Sequence, residues 1–190
     1  MPRLFTALEV PPDIGERLSF LRGGLPGARW IDVENYHITL RFLGDVDDRT
    51  ARDAAQLLGG VQRDPISVTL GDLDAFGGSR PRAIIVKAQA TTALIELQAE
   101  HERLLRRVGL APESRKYTPH VTLARLRDVS PRATADWLAT RGGAPRLHFE
   151  ASRFVLFSSR ASTGGGPYIV EESYPLGEVV EEDEDGDSRW

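Results

Sequence analysis

The apolar run inside Arg3-Leu4-Phe5-Thr6-Ala7-Leu8-Glu9-Val10 predicts a strand that stops at Pro11-Pro12. A helix over about residues 13–22 follows, because proline stands near its start and Gly23-Gly24 just past its end. Residues 36–43 are rich in β-branched and aromatic types and close on Gly44, which predicts a second strand. Asp47-Asp48 can cap a helix that runs to Leu58 and is stopped by Gly59-Gly60. Strands over 66–73 and 83–87 flank the turn-like Gly77-Gly78-Ser79-Arg80-Pro81 and read as a hairpin. The clearest helix spans about 92–108, where Leu94, Leu97, Leu104 and Val108 recur at helical spacing, His101 falls on the same stripe and Gly109 gives the stop. A strand at 120–126, a Pro131-started helix to about 140, and strands near 147–157 and 168–176 complete the pattern. Helices mixed with both hairpins and crossovers predict an α+β fold of largely antiparallel sheet.

A chain of 190 residues is long enough for a substantial core, so one domain or two small lobes is expected. Residues 1–177 read as a single body. Residues 178–190 hold seven acidic side chains against Arg189 and read as a disordered acidic tail. The formal charge of −4 is therefore misleading, since without the tail the chain keeps 21 acidic and 23 basic residues. Arginine outnumbers lysine 22 to 2, which suits an anionic substrate without demanding one. With no cysteine, disulfides, zinc ribbons and thiol chemistry are excluded. The lack of a long apolar run and of a secretory leader gives a cytoplasmic expectation.

His37-Ile38-Thr39-Leu40 returns as His120-Val121-Thr122-Leu123, so half of the four histidines share one context. In a strand His37 and Thr39 point to one face, Ile38 and Leu40 to the other, and the second copy does the same. One copy would suit a plain solvent face. Two copies related by internal symmetry could gather both imidazoles and both hydroxyls around one cleft. Such a set fits a reaction that needs a base, an acid and stabilisation of a phosphoryl-like oxyanion.

These motifs resemble the signature of the two-histidine phosphoesterases. The flanks resemble the RNA 2′,3′-cyclic phosphodiesterase branch, historically called 2′-5′ RNA ligase, at Leu4-Phe5-Thr6-Ala7, at Trp30, at Asn35 to Gly44, at Pro81-Arg82 and at Tyr117 to Arg125. The resemblance implies a bilobal α+β fold, two pseudo-symmetric lobes around a central cleft, each supplying one motif. It implies hydrolysis of an RNA or nucleotide 2′,3′-cyclic phosphate to a 2′-phosphomonoester, with His37 as general acid and His120 as general base. Thr39 and Thr122 match the phosphate-binding threonines, and Arg125 matches a basic residue after the second motif. Proton transfer by two imidazoles requires no cofactor and no metal, and no nearby His/carboxylate cluster supplies further metal ligands; a monomer is the default for a small bilobal enzyme, and the expected partner is RNA with a cyclic phosphate end, or a cyclic nucleotide, and no membrane. The alternatives are a non-catalytic RNA-end or nucleotide binder, or an enzyme acting on 2′-5′ oligonucleotides or a small cyclic-phosphate metabolite.

Other residues read more plainly. Strict alternation puts Arg125 on the face away from His120 unless the strand bends, and it puts Arg41 on the face of His37. Tyr36, Phe42 and Tyr117 could stack on a base but suit core or rim packing. His101 reads as a packed histidine and His148 as outward-facing. Gly164-Gly165-Gly166-Pro167 lacks the lysine and helix of a phosphate loop and reads as a turn.

Overall fold

The computed structural model describes residues 3–159 and 166–177. In chain order the elements are β1 (Arg3–Glu9), α1 (Pro12–Ser19), β2 (Ala28–Trp30), β3 (His37–Asp45), α2 (Asp48–Leu58), β4 (Ile66–Phe76) and β5 (Ala83–Ala88). They continue with α3 (Thr92–Arg107), β6 (His120–Leu126), α4 (Pro131–Arg141), β7 (Leu147–Ala151), β8 (Arg153–Ser159) and β9 (Tyr168–Pro175). Side-chain caps start three of the helices: Asp47, Thr91 and Ser130 each accept a backbone N–H from the first turn.

The strands form a fully antiparallel sheet in the order β7-β4-β5-β6-β3-β1-β8-β9, with β2 beside β6. Its two halves, β7-β4-β5-β6 and β3-β1-β8-β9, meet through the pair Ile38↔Val121. Each half places its motif strand at this seam. The successions β1-α1-β3-α2 and β5-α3-β6-α4 repeat one another, so the duplicated motif reflects a duplicated unit. Ile38 and Val121 are fully buried beneath the seam, in a core that runs continuously under both halves. Burial of this kind contributes about 25 cal/mol per Å² of apolar surface and fixes which face each strand can turn to water.

Departures from the predicted elements have local causes. The strand predicted over 147–157 breaks at Ser152, because β7 pairs with β4 in one half and β8 with β1 in the other. β2 is only three residues long and gives no alternation to read. On α3 the buried stripe is Leu94, Leu97, His101 and Leu105, with Leu104 and Val108 at its margin. The acidic segment from Glu178 and most of the glycine turn before Pro167 lie outside the described residues.

Candidate active site

The two motif strands share one burial sequence. From His37 and from His120, the first six residues run intermediate, buried, intermediate, buried, buried, exposed. The double buried step comes from a bulge in each strand. Along β3, Thr39 pairs with Ala7 and Arg41 with Thr6, so Leu40 is the extra residue. Along β6, Thr122 pairs with Ile85 and Ala124 with Ile84, so Leu123 is the extra residue. A bulge reverses the side-chain parity beyond it. The fifth residue after each histidine therefore returns to the histidine face, and that residue is Phe42 in β3 and Arg125 in β6.

This corrects the placement of Arg41. Alternation put it beside His37, but the bulge turns it toward α3, so that it borders the cleft from that side and is 8% exposed. Its guanidinium donates to Glu102 on α3, to the carbonyl of Phe42, and to the carbonyl of Ala111 at 2.5 Å. Glu102 also accepts Arg106 Nε and the backbone N–H of Glu113, each at 3.0 Å. Burial alone would raise the pKa of Glu102, yet the donors from Arg41, Glu113 and Arg106 together hold it below the usual carboxylate range. Arg41 thus ties the bulge to α3 and to the segment 111–118, which forms a wall of the cleft.

His37, Thr39, His120, Thr122 and Arg125 all line one cleft of about 530 Å³ at the seam. Phe5, Phe42, Phe76, Tyr117 and Tyr168 supply its aromatic lining, and Arg3, Arg41, Arg82, Arg115 and Lys116 its further cations. Arg82 and Phe5 belong to the Pro81-Arg82 and Leu4-Phe5-Thr6-Ala7 stretches that carry the resemblance, but the sequence assigned neither of them to the site. Tyr168 and Phe76 gave no signal, because their place beside the histidines depends on strand pairing across long separations. Tyr117 spans the halves through its hydroxyl, which donates to the Thr39 carbonyl at 2.8 Å. Tyr36 is core, with its hydroxyl buried. His148 is exposed beside Thr69, as its alternation implied.

Both imidazoles are held in the same way. His37 Nδ1 lies 2.8 Å from the Asn35 carbonyl and His120 Nδ1 lies 2.6 Å from the Thr118 carbonyl, each two residues upstream. A carbonyl only accepts, so Nδ1 carries the hydrogen and Nε2 presents a lone pair to the cleft when the ring is neutral. At His37 that lone pair accepts the Thr39 hydroxyl at 3.1 Å. The surroundings differ more. His37 sits among Phe5 at 5.0 Å, Tyr168 at 5.1 Å and Phe157 at 5.9 Å between ring centroids. His120 meets Phe76 edge-on at 4.7 Å.

Burial lowers the His37 pKa to about 4, opposed by the Asn35 carbonyl and helped by the charges of His120 and Arg125. The His120 pKa is also lowered, by burial and by Arg125, against the pull of the Thr118 carbonyl. Arg125 thus reaches both imidazoles electrostatically, and each faces a common positive field. An anion between them would act against these shifts.

An antiparallel α+β sheet that sets twin His-x-Thr strands on one cleft defines the two-histidine phosphoesterase class. The family model of the 2′-5′ RNA ligase superfamily matches residues 10–163, and the chain belongs to that superfamily. The RNA 2′,3′-cyclic phosphodiesterase of Methanocaldococcus jannaschii is 28% identical over 171 residues, covering 88% of this chain and 97% of that relative. The one from Escherichia coli is 30% identical over 135 residues, 70% of this chain and 75% of the relative. A crystal structure of E. coli LigT complexed with 3′-AMP superposes with a TM-score of 0.77 at 25% identity, covering 94% of this chain and all of that one. Among the described residues no helix is long and apolar enough to cross a membrane.

Proposed function

We propose that this protein hydrolyses 2′,3′-cyclic phosphate at an RNA end or on a nucleotide, leaving a 2′-phosphomonoester. The observation that carries the reading is the convergence of His37 and His120, each held through Nδ1 by a backbone carbonyl, on one cation-lined cleft. The same activity is borne in the names of the curated relatives.

In-line displacement at phosphorus needs a base on one side of the phosphate and an acid on the other. His120 Nε2 takes a proton from the attacking water, the oxygen bonds to phosphorus, and the bond to O3′ breaks. His37 gives that O3′ a proton from its own Nε2. The Thr39 and Thr122 hydroxyls donate to the non-bridging oxygens, Thr39 turning from His37 to the phosphate as it arrives. Arg125 compensates the charge of the transition state. Phe42, 51% exposed on the same face, offers a ring for the base. Both proton transfers are supplied by imidazole, so the chemistry needs no metal.

The test is turnover of a cyclic-phosphate oligonucleotide, with chelator present, by the parent and by His37→Ala and His120→Ala. Each variant is expected to lose about 10²–10⁴ in rate, the range for one positioned acid or base. Undiminished turnover by both would overturn the reading, and tight binding with no turnover by the parent would favour a binder. A substrate with an activated aryl leaving group separates the roles: it restores much of the rate in the variant lacking the acid and little in the variant lacking the base.

A further inference from the structure

Two neighbouring residues on the segment leading into β6 are committed to different motifs. The Tyr117 hydroxyl donates to the Thr39 carbonyl of the first motif at 2.8 Å, and the Thr118 carbonyl accepts His120 Nδ1 of the second motif at 2.6 Å. Thr39 is bonded in turn, through its own hydroxyl, to His37 Nε2 at 3.1 Å. A continuous path therefore runs from His37 through Thr39, Tyr117 and Thr118 to His120, and the step between Tyr117 and Thr118 is a single peptide bond.

The path is braced along its length. Pro119 is buried, restricts Thr118 to extended backbone, and passes its own carbonyl to the Ala88 N–H at 2.9 Å. Tyr117 is half-buried, and burial raises its phenol pKa above the ordinary value, so the hydroxyl stays a neutral donor at any working pH. Strand pairing contributes little at this point, because among the described residues β3 and β6 share only the pair Ile38↔Val121. Arg41 also ties β3 across the seam, to Glu102 and Ala111. The Tyr117 bond differs in running on directly into the group that orients the other imidazole.

We propose that Tyr117 is a positioning residue of the reaction: by clasping the Thr39 carbonyl it fixes the distance and angle between the two imidazoles. This rests on the phosphodiesterase reading and adds to it a residue that acts through the histidines, with its hydroxyl spent on Thr39 rather than on substrate. In-line displacement is demanding of such placement, since an error of about 1 Å can cost on the order of 10²-fold in rate.

The experiment measures kcat and KM for an oligonucleotide ending in a 2′,3′-cyclic phosphate, with the parent, Tyr117→Phe and Tyr174→Phe. Tyr174 is the matched control, because its hydroxyl donates to the Ala55 carbonyl at 2.9 Å and it lies outside the cleft lining. Each substitution keeps the ring and removes one hydroxyl bond to a backbone carbonyl, so similar small drops in the urea midpoint are expected of both. Tyr117→Phe is expected to lower kcat about 10–100-fold with KM within about twofold of the parent's, and Tyr174→Phe to keep both within about twofold. Pro119→Ala frees Thr118 and leaves the Tyr117 bond in place, and it is expected to lower kcat by about tenfold or more with KM again kept. A parent-like kcat in Tyr117→Phe, an equal loss in Tyr174→Phe, or a loss confined to KM would overturn the clasp alone. Should Tyr117→Phe fail to fold, Pro119→Ala decides, and a parent-like kcat there overturns the clasp. Absence of turnover by the parent would overturn the phosphodiesterase reading and the clasp with it.

Discussion

Phe42 and Arg125 hold the same place on their strands, each the fifth residue after its histidine and each turned onto the cleft face by a bulge at the motif leucine. The backbone is pseudo-symmetric there, but the chemistry is not. One half offers an aromatic face and the other a guanidinium, so on the proposed reading the nucleotide lies with its base toward Phe42 and its phosphate charge toward Arg125.

Arg125 then has two separable effects. It lowers the pKa of both histidines, and in the proposed reaction its charge also stabilises the phosphate. Replacement by glutamine is expected to cut kcat/KM by about 10–100-fold, the worth of a hydrogen bond to a charged group. It should also move the pH profile of kcat/KM to higher pH, because a cation that disfavours imidazolium has gone. A rate measured across pH checks both; loss of rate with an unmoved profile would mean that Arg125 is not felt by the histidines.

The pH dependence of the parent follows from the same shifts. The profile of kcat/KM reports the free enzyme, in which both pKa values are below that of ordinary histidine, His37 at about 4. Productive enzyme carries one proton on the pair, so the bell for kcat/KM should centre on the acid side of about 6.5. An anionic phosphate in the cleft raises both values, and the bell for kcat should lie at higher pH. Coincident profiles, with chemistry limiting, would contradict an electrostatic link between substrate and pair.

Much of this site was legible before any coordinates, and the reason is local. The His-x-Thr spacing is set by strand alternation, so the facing of His37, Thr39, His120 and Thr122 follows from four residues at a time. Arg41 and Arg125 lie past the bulges, and a bulge is specified by the partner strands β1 and β5 rather than by the motif itself. Alternation therefore turned both arginines the wrong way; only the resemblance kept Arg125 among the site residues. Glu102 was invisible for the same reason, its partner being 61 residues distant in sequence. The split at Ser152 likewise depends on which half each segment joins.

The Arg41–Glu102 pair makes a stability prediction. Both side chains are largely buried, at 8% and 16% exposure. Taking away one member leaves the other charged and without its counter-ion, which typically costs about 3–5 kcal/mol. Glu102→Gln keeps the shape and some acceptor capacity, so a loss of about 2–3 kcal/mol is expected, read from urea unfolding. The substitution also loosens residues 111–118, since Glu113 and Ala111 hang on this pair, and hydrogen exchange should rise there more than in β8. A denaturation midpoint equal to the parent's would show that the pair contributes nothing net.

His101 should control acid stability. It is fully buried on α3, its Nδ1 is 2.8 Å from the Thr6 hydroxyl, its ring meets Phe154 at 4.5 Å, and Nε2 has no hydrogen-bond partner among the described residues. Burial, with help from the charge of Arg63, lowers its pKa to about 3. The unfolded chain has an ordinary histidine near 6.5 and so binds more protons than the native state between those values. Stability from this group is complete above the unfolded pKa and is lost as pH falls toward the folded one, with a slope of at most about 1.4 kcal/mol per pH unit. Replacing both partners by apolar shapes, Thr6→Val with His101→Leu, removes the titration without stranding either polar group. The double variant is expected to stay within about 1 kcal/mol of the parent at pH 7.5 and to lose less stability on acidification to pH 4.5, as measured by urea unfolding at each pH. His37 and the carboxylates keep their own share of the acid slope, so the curve flattens by up to one proton and does not become level. An acid slope identical to that of the parent would mean that the buried imidazole takes up no proton on unfolding.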